Sequence, residues 1–124
     1  MELTARIRAD LLLIGDTPRA PTDPLSCLSE LAASPAPLNP SICDFTDNTE
    51  IRTAFNAALS DAASSNAHVH YLEMDEAICP DGLCRAVING TISYRDSHHL
   101  TSTFSESQAN VFLKELKKLD TSTR

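Results

Sequence analysis

Four consecutive aliphatic residues, Leu11-Leu12-Leu13-Ile14, followed by Gly15, constrain this chain more than any other feature. A strand with one wet face alternates apolar and polar residues. An uninterrupted apolar run instead marks a strand covered on both faces, as in parallel sheets flanked by helices. The run is far short of the roughly 20 residues that span a bilayer, so direct membrane insertion is not expected. Asp16 to Pro24 follows with Pro18, Pro21 and Pro24, which forbid regular pairing. This loop sits at the C-terminal end of the strand, where open α/β folds hold their ligands.

The rest of the chain alternates in keeping with that start. Leu3 to Arg8 reads as the last turns of a helix. Asp23 or Thr22 caps a short helix with Pro24 at its first position and Leu25, Leu28 and Leu31 on one face. Pro35, Pro37 and Pro40 end it in a surface connection. Asp47 and Glu50 form a capping pair for a helix that carries Ile51, Ala54, Phe55, Ala58, Leu59 and Ala62 on one face. His68 to Met74 is predicted as a second strand, and the helical connection from Leu11 suits a right-handed parallel crossover. Asn89-Gly90 between Arg85–Ile88 and Thr91–Tyr94 signals a hairpin, because both turn positions need positive φ. That turn explains Asn89-Gly90-Thr91 better than a glycosylation sequon does. Thr103 and Glu106 offer a second capping box, for a final helix with Ala109, Phe112, Leu113, Leu116 and Leu119 inward.

At 124 residues and 42% hydrophobic, the chain supports one domain, residues 1–124, with a modest core. A net charge of -7 without any cluster of Lys and Arg argues against nucleic acid as a partner. Cys27, Cys43, Cys79 and Cys84 form an even set in a small acidic domain, which suits disulfides and an oxidising compartment better than four reduced thiols or a zinc site. Of the three possible pairings, Cys27 with Cys43 and Cys79 with Cys84 is expected, the second pair closing over an Asp-Gly turn. Met1 to Arg8 is not followed by the apolar region and cleavage site of a signal peptide, so the chain as written is not expected to be exported by itself.

Tyr94-Arg95-Asp96-Ser97-His98-His99-Leu100-Thr101 carries the chemistry. Asp96 and His99 on one short loop can form the base half of a serine hydrolase, the carboxylate fixing the imidazole tautomer and His99 taking a hydroxyl proton. The plain alternative is that both cap the helix that follows. His68 and His70, with His98 and His99, suggest a metal site, but no carboxylate stands at ligand spacing from them and alternate positions on an edge strand explain the first pair. No metal and no cofactor is expected.

The order of Leu13-Ile14-Gly15-Asp16-Thr17-Pro18-Arg19, Asp23-Pro24-Leu25-Ser26-Cys27-Leu28, Cys79 to Cys84, and Tyr94 to Thr101 resembles the SGNH hydrolase domain. In particular it is similar to the extracytoplasmic SGNH domain fused to integral-membrane acyltransferases that O-acetylate bacterial cell-envelope polysaccharide or peptidoglycan. The resemblance covers nearly the whole chain but only the later part of that domain. It implies a partial flavodoxin-like three-layer α/β fold, an incomplete parallel sheet with flanking helices and a small hairpin. It also implies Asp96 as the orienting carboxylate, His99 as the base and His98 as a spacer, with an acylated glycan or peptidoglycan as substrate at the extracytoplasmic face of the membrane.

The departure is at the other end of the triad. The nucleophile of the family lies in a Gly-Asp-Ser block and its oxyanion hole uses a Gly and an Asn from later blocks, and this sequence carries none of the three. Gly15-Asp16-Thr17 is a poor substitute, since Thr17 precedes Pro18 and its neighbours match a later strand end. Two function classes follow. One is the C-terminal segment of an SGNH O-acyl esterase or acyltransferase, inactive alone, with the missing N-terminal half as its partner. The other is a non-catalytic, disulfide-stabilised secreted domain that binds glycan or a protein. The first predicts an unpartnered apolar edge at Leu11–Ile14 and a tendency to associate.

Overall fold

The computed structural model describes residues 9–47 and 50–122, so the reading of Leu3 to Arg8 lies outside the described residues. The chain divides into two compact units. A sheet unit combines the described part of Met1–Asp16, all of Glu50–Met74 and the described part of Asn110–Arg124; a disulfide unit combines Thr17–Thr49, as far as described, with Asp75–Ala109.

In the sheet unit, β1 (Leu11–Ile14) pairs in parallel with β3 (Val69–Leu72), Leu11 opposite Val69 and Ile14 opposite Leu72. The helix α2 (Glu50–Ser64) packs on both strands. Val69 and Leu72 are buried. The face that α2 turns inward differs from the predicted apolar stripe: Arg52 and Asn56 are buried, whereas Ala54 and Ala58 are exposed and Phe55 is 53% exposed. The reason is polar. The Asp16 amide donates to Asn56 Oδ1 at 2.8 Å and Arg52 Nη1 donates to the Asp16 carbonyl at 3.0 Å, so α2 satisfies the backbone where β1 ends. Gly15 leaves room for Asn56, whose Nδ2 would stand 3.2 Å from a Cβ there, and for the Tyr71 hydroxyl of β3. Among the described residues the sheet has these two strands, and the other edge of β1 carries no partner strand.

The disulfide unit is built from short pieces. Asp23 caps α1 (Pro24–Ala33), its carboxylate accepting from the Leu25 amide at 2.9 Å. Cys27 in α1 is bonded to Cys43, which ends the 3-10 turn Pro40–Cys43. β2 (Phe45–Thr46) pairs antiparallel with β4 (Leu83–Cys84), which the bond from Cys84 to Cys79 fastens to the end of the short helix α3 (Asp75–Ile78). Between these cysteines Asp81 and Gly82 have φ of 56° and 79°, the predicted Asp-Gly turn. Leu28, Cys43 and Ala86 form a core cluster with Cys27, Leu31 and Val87 packed against it. β5 (Val87–Ile88) and β6 (Thr91–Ile92) make the hairpin over Asn89 and Gly90, both at positive φ.

The predicted final helix is two helices. α4 (Ser102–Ser107) is capped by Thr101, whose hydroxyl accepts from the Phe104 amide at 3.2 Å, so the cap lies two residues before the expected Thr103. α5 (Ala109–Ser122) follows after Gln108, and Leu113 on its expected inner face is 49% exposed. The structure is therefore mixed α/β, a small parallel sheet with flanking helices and a hairpin, as expected for a partial flavodoxin-like SGNH fold.

Candidate functional site

The hairpin in the disulfide unit delivers the chain to Tyr94 and the loop closes on itself at once. Tyr94 bridges antiparallel to Leu100, and the Arg95 amide donates to the His99 carbonyl at 3.0 Å. Below the bridge, the Thr101 amide donates to the Ser93 carbonyl, and Ser93, 1% exposed, turns its hydroxyl to the Arg85 carbonyl at 2.6 Å. The proline-rich loop after β1 straps the other side. Its Pro18 carbonyl accepts from the buried Tyr94 hydroxyl at 2.6 Å, the Ala20 amide donates to the Ser97 carbonyl at 2.8 Å, and Thr17 Oγ1 donates to the His98 carbonyl at 3.2 Å. Three proline-constrained contacts of this kind fix Asp96 to His99 far more tightly than an exposed four-residue loop would fix itself.

Within the loop, Asp96 Oδ1 accepts from the amides of His98 at 2.9 Å and of His99 at 2.7 Å. Asp96 Oδ2 faces His99 Nδ1 at 2.8 Å. The two amides aim the carboxylate, and the carboxylate aims the imidazole. These bonds hold the Asp96 carboxyl far below its usual range, the His98 amide contributing most, then the His99 ring and the His99 amide. An ionised Asp96 accepting at Oδ2 fixes the proton of His99 on Nδ1 and directs the lone pair of Nε2 away from the carboxylate, the orientation a general base needs. The His99 side chain is half exposed.

Thr17, rejected as a nucleophile on sequence grounds, gives its hydroxyl proton to the His98 carbonyl. His98, a spacer in the motif, lies beside the pair: its ring centroid is 4.1 Å from that of His99, and its Nδ1 is 3.7 Å from Asp96 Oδ1.

His68 and His70 belong to the sheet unit and have a carboxylate that spacing did not reveal. Asp10, just before β1, meets His70 Nε2 at 2.8 Å and His68 Nδ1 at 3.0 Å, and the two histidines, His70 foremost, lower its pKa. Parallel pairing of β1 with β3 is what brings position 10 beside positions 68 and 70. A cavity of about 420 Å³ adjoins them, lined by Asp10, Leu11, Leu12, His70, Leu116 and Leu119 among others.

Both cysteine pairs are disulfides, which suits an oxidising environment outside the cytosol. No helix among the described residues is long and apolar enough to cross a membrane. No curated protein and no solved structure gives a significant match to the chain. The model of one family, described as SGNH domain (fused to AT3 domains), matches residues 1–114. A match over that span, together with the α/β fold and the fixed Asp96–His99 loop, means that the chain belongs to the SGNH domain family found fused to AT3 domains.

Proposed function

We propose that this chain is the C-terminal segment of an SGNH-type O-acyl esterase or acyltransferase domain, acting on cell-envelope polysaccharide or peptidoglycan at the extracytoplasmic face of the membrane. Asp96 orients His99, and His99 accepts the proton of a serine hydroxyl as that oxygen attacks the acyl carbonyl; the proton then passes to the leaving alkoxide as the acyl-enzyme forms. The serine comes from a Gly-Asp-Ser segment that these 124 residues do not contain, and the chain is inactive without it. The observation that carries the reading is the 2.8 Å contact from His99 Nδ1 to an Asp96 carboxylate already aimed by two backbone amides.

The test pairs this chain with an SGNH N-terminal segment bearing Gly-Asp-Ser, encoded upstream of Met1 or supplied in trans, and follows hydrolysis of an aryl acetate. The pair should hydrolyse the ester, and His99→Ala should remove nearly all of that rate, since loss of one member of such a unit costs up to about a millionfold. Activity of this chain alone that disappears in both His99→Ala and Thr17→Ala would make Thr17 the nucleophile and defeat the reading. A reading frame upstream of Met1 that encodes membrane helices and then Gly-Asp-Ser would support it.

A further inference from the structure

The disulfide unit places three ligand groups together that the dyad alone does not account for. Asp96, His98 and His99 each offer a carboxylate oxygen or a ring nitrogen, and these atoms all lie within 4.8 Å of one another. We propose that Asp96, His98 and His99 form a binding site for a divalent transition ion, zinc being the best fit, and that an ion held there removes His99 from the tautomer a general base requires.

The donor set is two imidazoles and one carboxylate, a combination that suits zinc and leaves a fourth position to water. Ligands about 2.0–2.1 Å from a tetrahedral ion stand roughly 3.3 Å apart. The nearest approaches are 2.8 Å from His99 Nδ1 to Asp96 Oδ2 and 3.7 Å from His98 Nδ1 to Asp96 Oδ1, and one donor atom from each residue lies within 4.8 Å of the other two. Side-chain rotations that bring these atoms to about 3.3 Å from one another assemble the site. The backbone is already held, because the carbonyls of Ser97, His98 and His99 each accept a bond from Ala20, Thr17 or Arg95. The Ser97 hydroxyl, 3.1 Å from His98 Nδ1, rotates about one bond and can give way. All three side chains are 38–50% exposed, so an ion reaches them without opening the fold.

The consequence for His99 is tautomeric. In the dyad, Nδ1 carries the proton and Nε2 the lone pair. A metal ion at Nδ1 takes the lone pair there and leaves the proton on Nε2, so the ring cannot accept a proton at that atom. Binding itself does not depend on the hydrolase reading; only this consequence does.

The experiment titrates the whole chain with Zn²⁺ at neutral pH by calorimetry and follows the four imidazoles by NMR. One ion per chain is expected, with the rings of His98 and His99 shifting before those of His68 and His70. His98→Ala should weaken binding roughly a hundredfold, since even groups behind the metal ligands are worth 10–100-fold in affinity. The double variant His68→Ala/His70→Ala should bind as the parent does, and Mg²⁺, which favours oxygen ligands, should not compete. Unchanged affinity in His98→Ala, loss of binding in the His68→Ala/His70→Ala chain, earlier shifts at His68 and His70, or no binding at millimolar Zn²⁺ would each overturn the proposal. The ring shifts are read in the parent chain, so a misfolded variant does not leave the question open. Zinc binding at His98 and His99 with no esterase activity in the zinc-free paired protein would defeat the hydrolase reading and leave the metal site standing.

Discussion

The disulfide unit and the sheet unit solve the problem of a small core in opposite ways. The disulfide unit buries Leu28, Phe45, Ile78, Ala86, Tyr94 and Phe104, sets Phe45 edge-on to Tyr94 at 5.1 Å between centroids, and adds two covalent staples. The sheet unit fully buries Val69 and Leu72 but leaves Ile14, Phe55 and Leu113 about half exposed. The first region gathers a stapled core, although its Leu38 and Ile42 are more than half exposed, and the second has little buried apolar core of its own.

The comparison can be broken first at Phe104, which is 2% exposed. Phe104→Ala should cost about 3–5 kcal/mol in chemical denaturation, as full truncation of a buried aromatic does; a cost under 1 kcal/mol would mean that the disulfide unit is no better packed than the sheet unit. Next in size, replacing Cys27 and Cys43 together by Ala should cost about 3 kcal/mol, by freeing a loop of 16 residues in the unfolded chain. Tyr94→Phe removes the donor to the Pro18 carbonyl and should cost about 1–2 kcal/mol, with a looser loop seen as faster amide exchange at Ser97 and His99.

At the sheet unit the same tests should give the opposite result. Phe55→Ser is expected to change stability by less than about 0.5 kcal/mol and to reduce self-association in sedimentation, since its ring is 53% exposed. An unchanged association state would show that this face is not the sticky one. The smallest effect is in pH. Because the Asp96 pKa is lower in the folded chain than in the unfolded one, its contribution is complete above about pH 4 and is lost as pH falls below that toward its depressed value. The Tm of the parent should therefore drop more steeply in that acid range than the Tm of Asp96→Asn.

The hairpin over Asn89-Gly90, the cap at the start of α1 and the strand at Leu11–Ile14 were legible because each rests on local chemistry: positive φ, an N-terminal acceptor, a continuous apolar run. The Asp96–His99 contact was legible for the same reason, lying within four residues. What the sequence hid was non-local or ambiguous. Ala54 and Phe55 form an apolar stripe by spacing, yet Arg52 and Asn56 turn inward because Asp16, 36 and 40 residues away, needs partners for its peptide groups. Asp10 reaches His68 and His70 only through strand pairing. Thr103 is the expected cap of the final helix, but the chain turns helical two residues earlier, at Thr101, directly after the bridge from Tyr94 to Leu100.

The sheet unit is assembled from three separated stretches of chain, and β1 must wait for β3, 58 residues later, before any of its backbone is paired. Synthesis is vectorial, so the partner that β1 has among the described residues is made only 58 positions after it. Parallel pairing between such distant residues is slow to form. Folding of the sheet unit should therefore lag behind that of the hairpin over Asn89-Gly90, whose paired residues stand three to five positions apart.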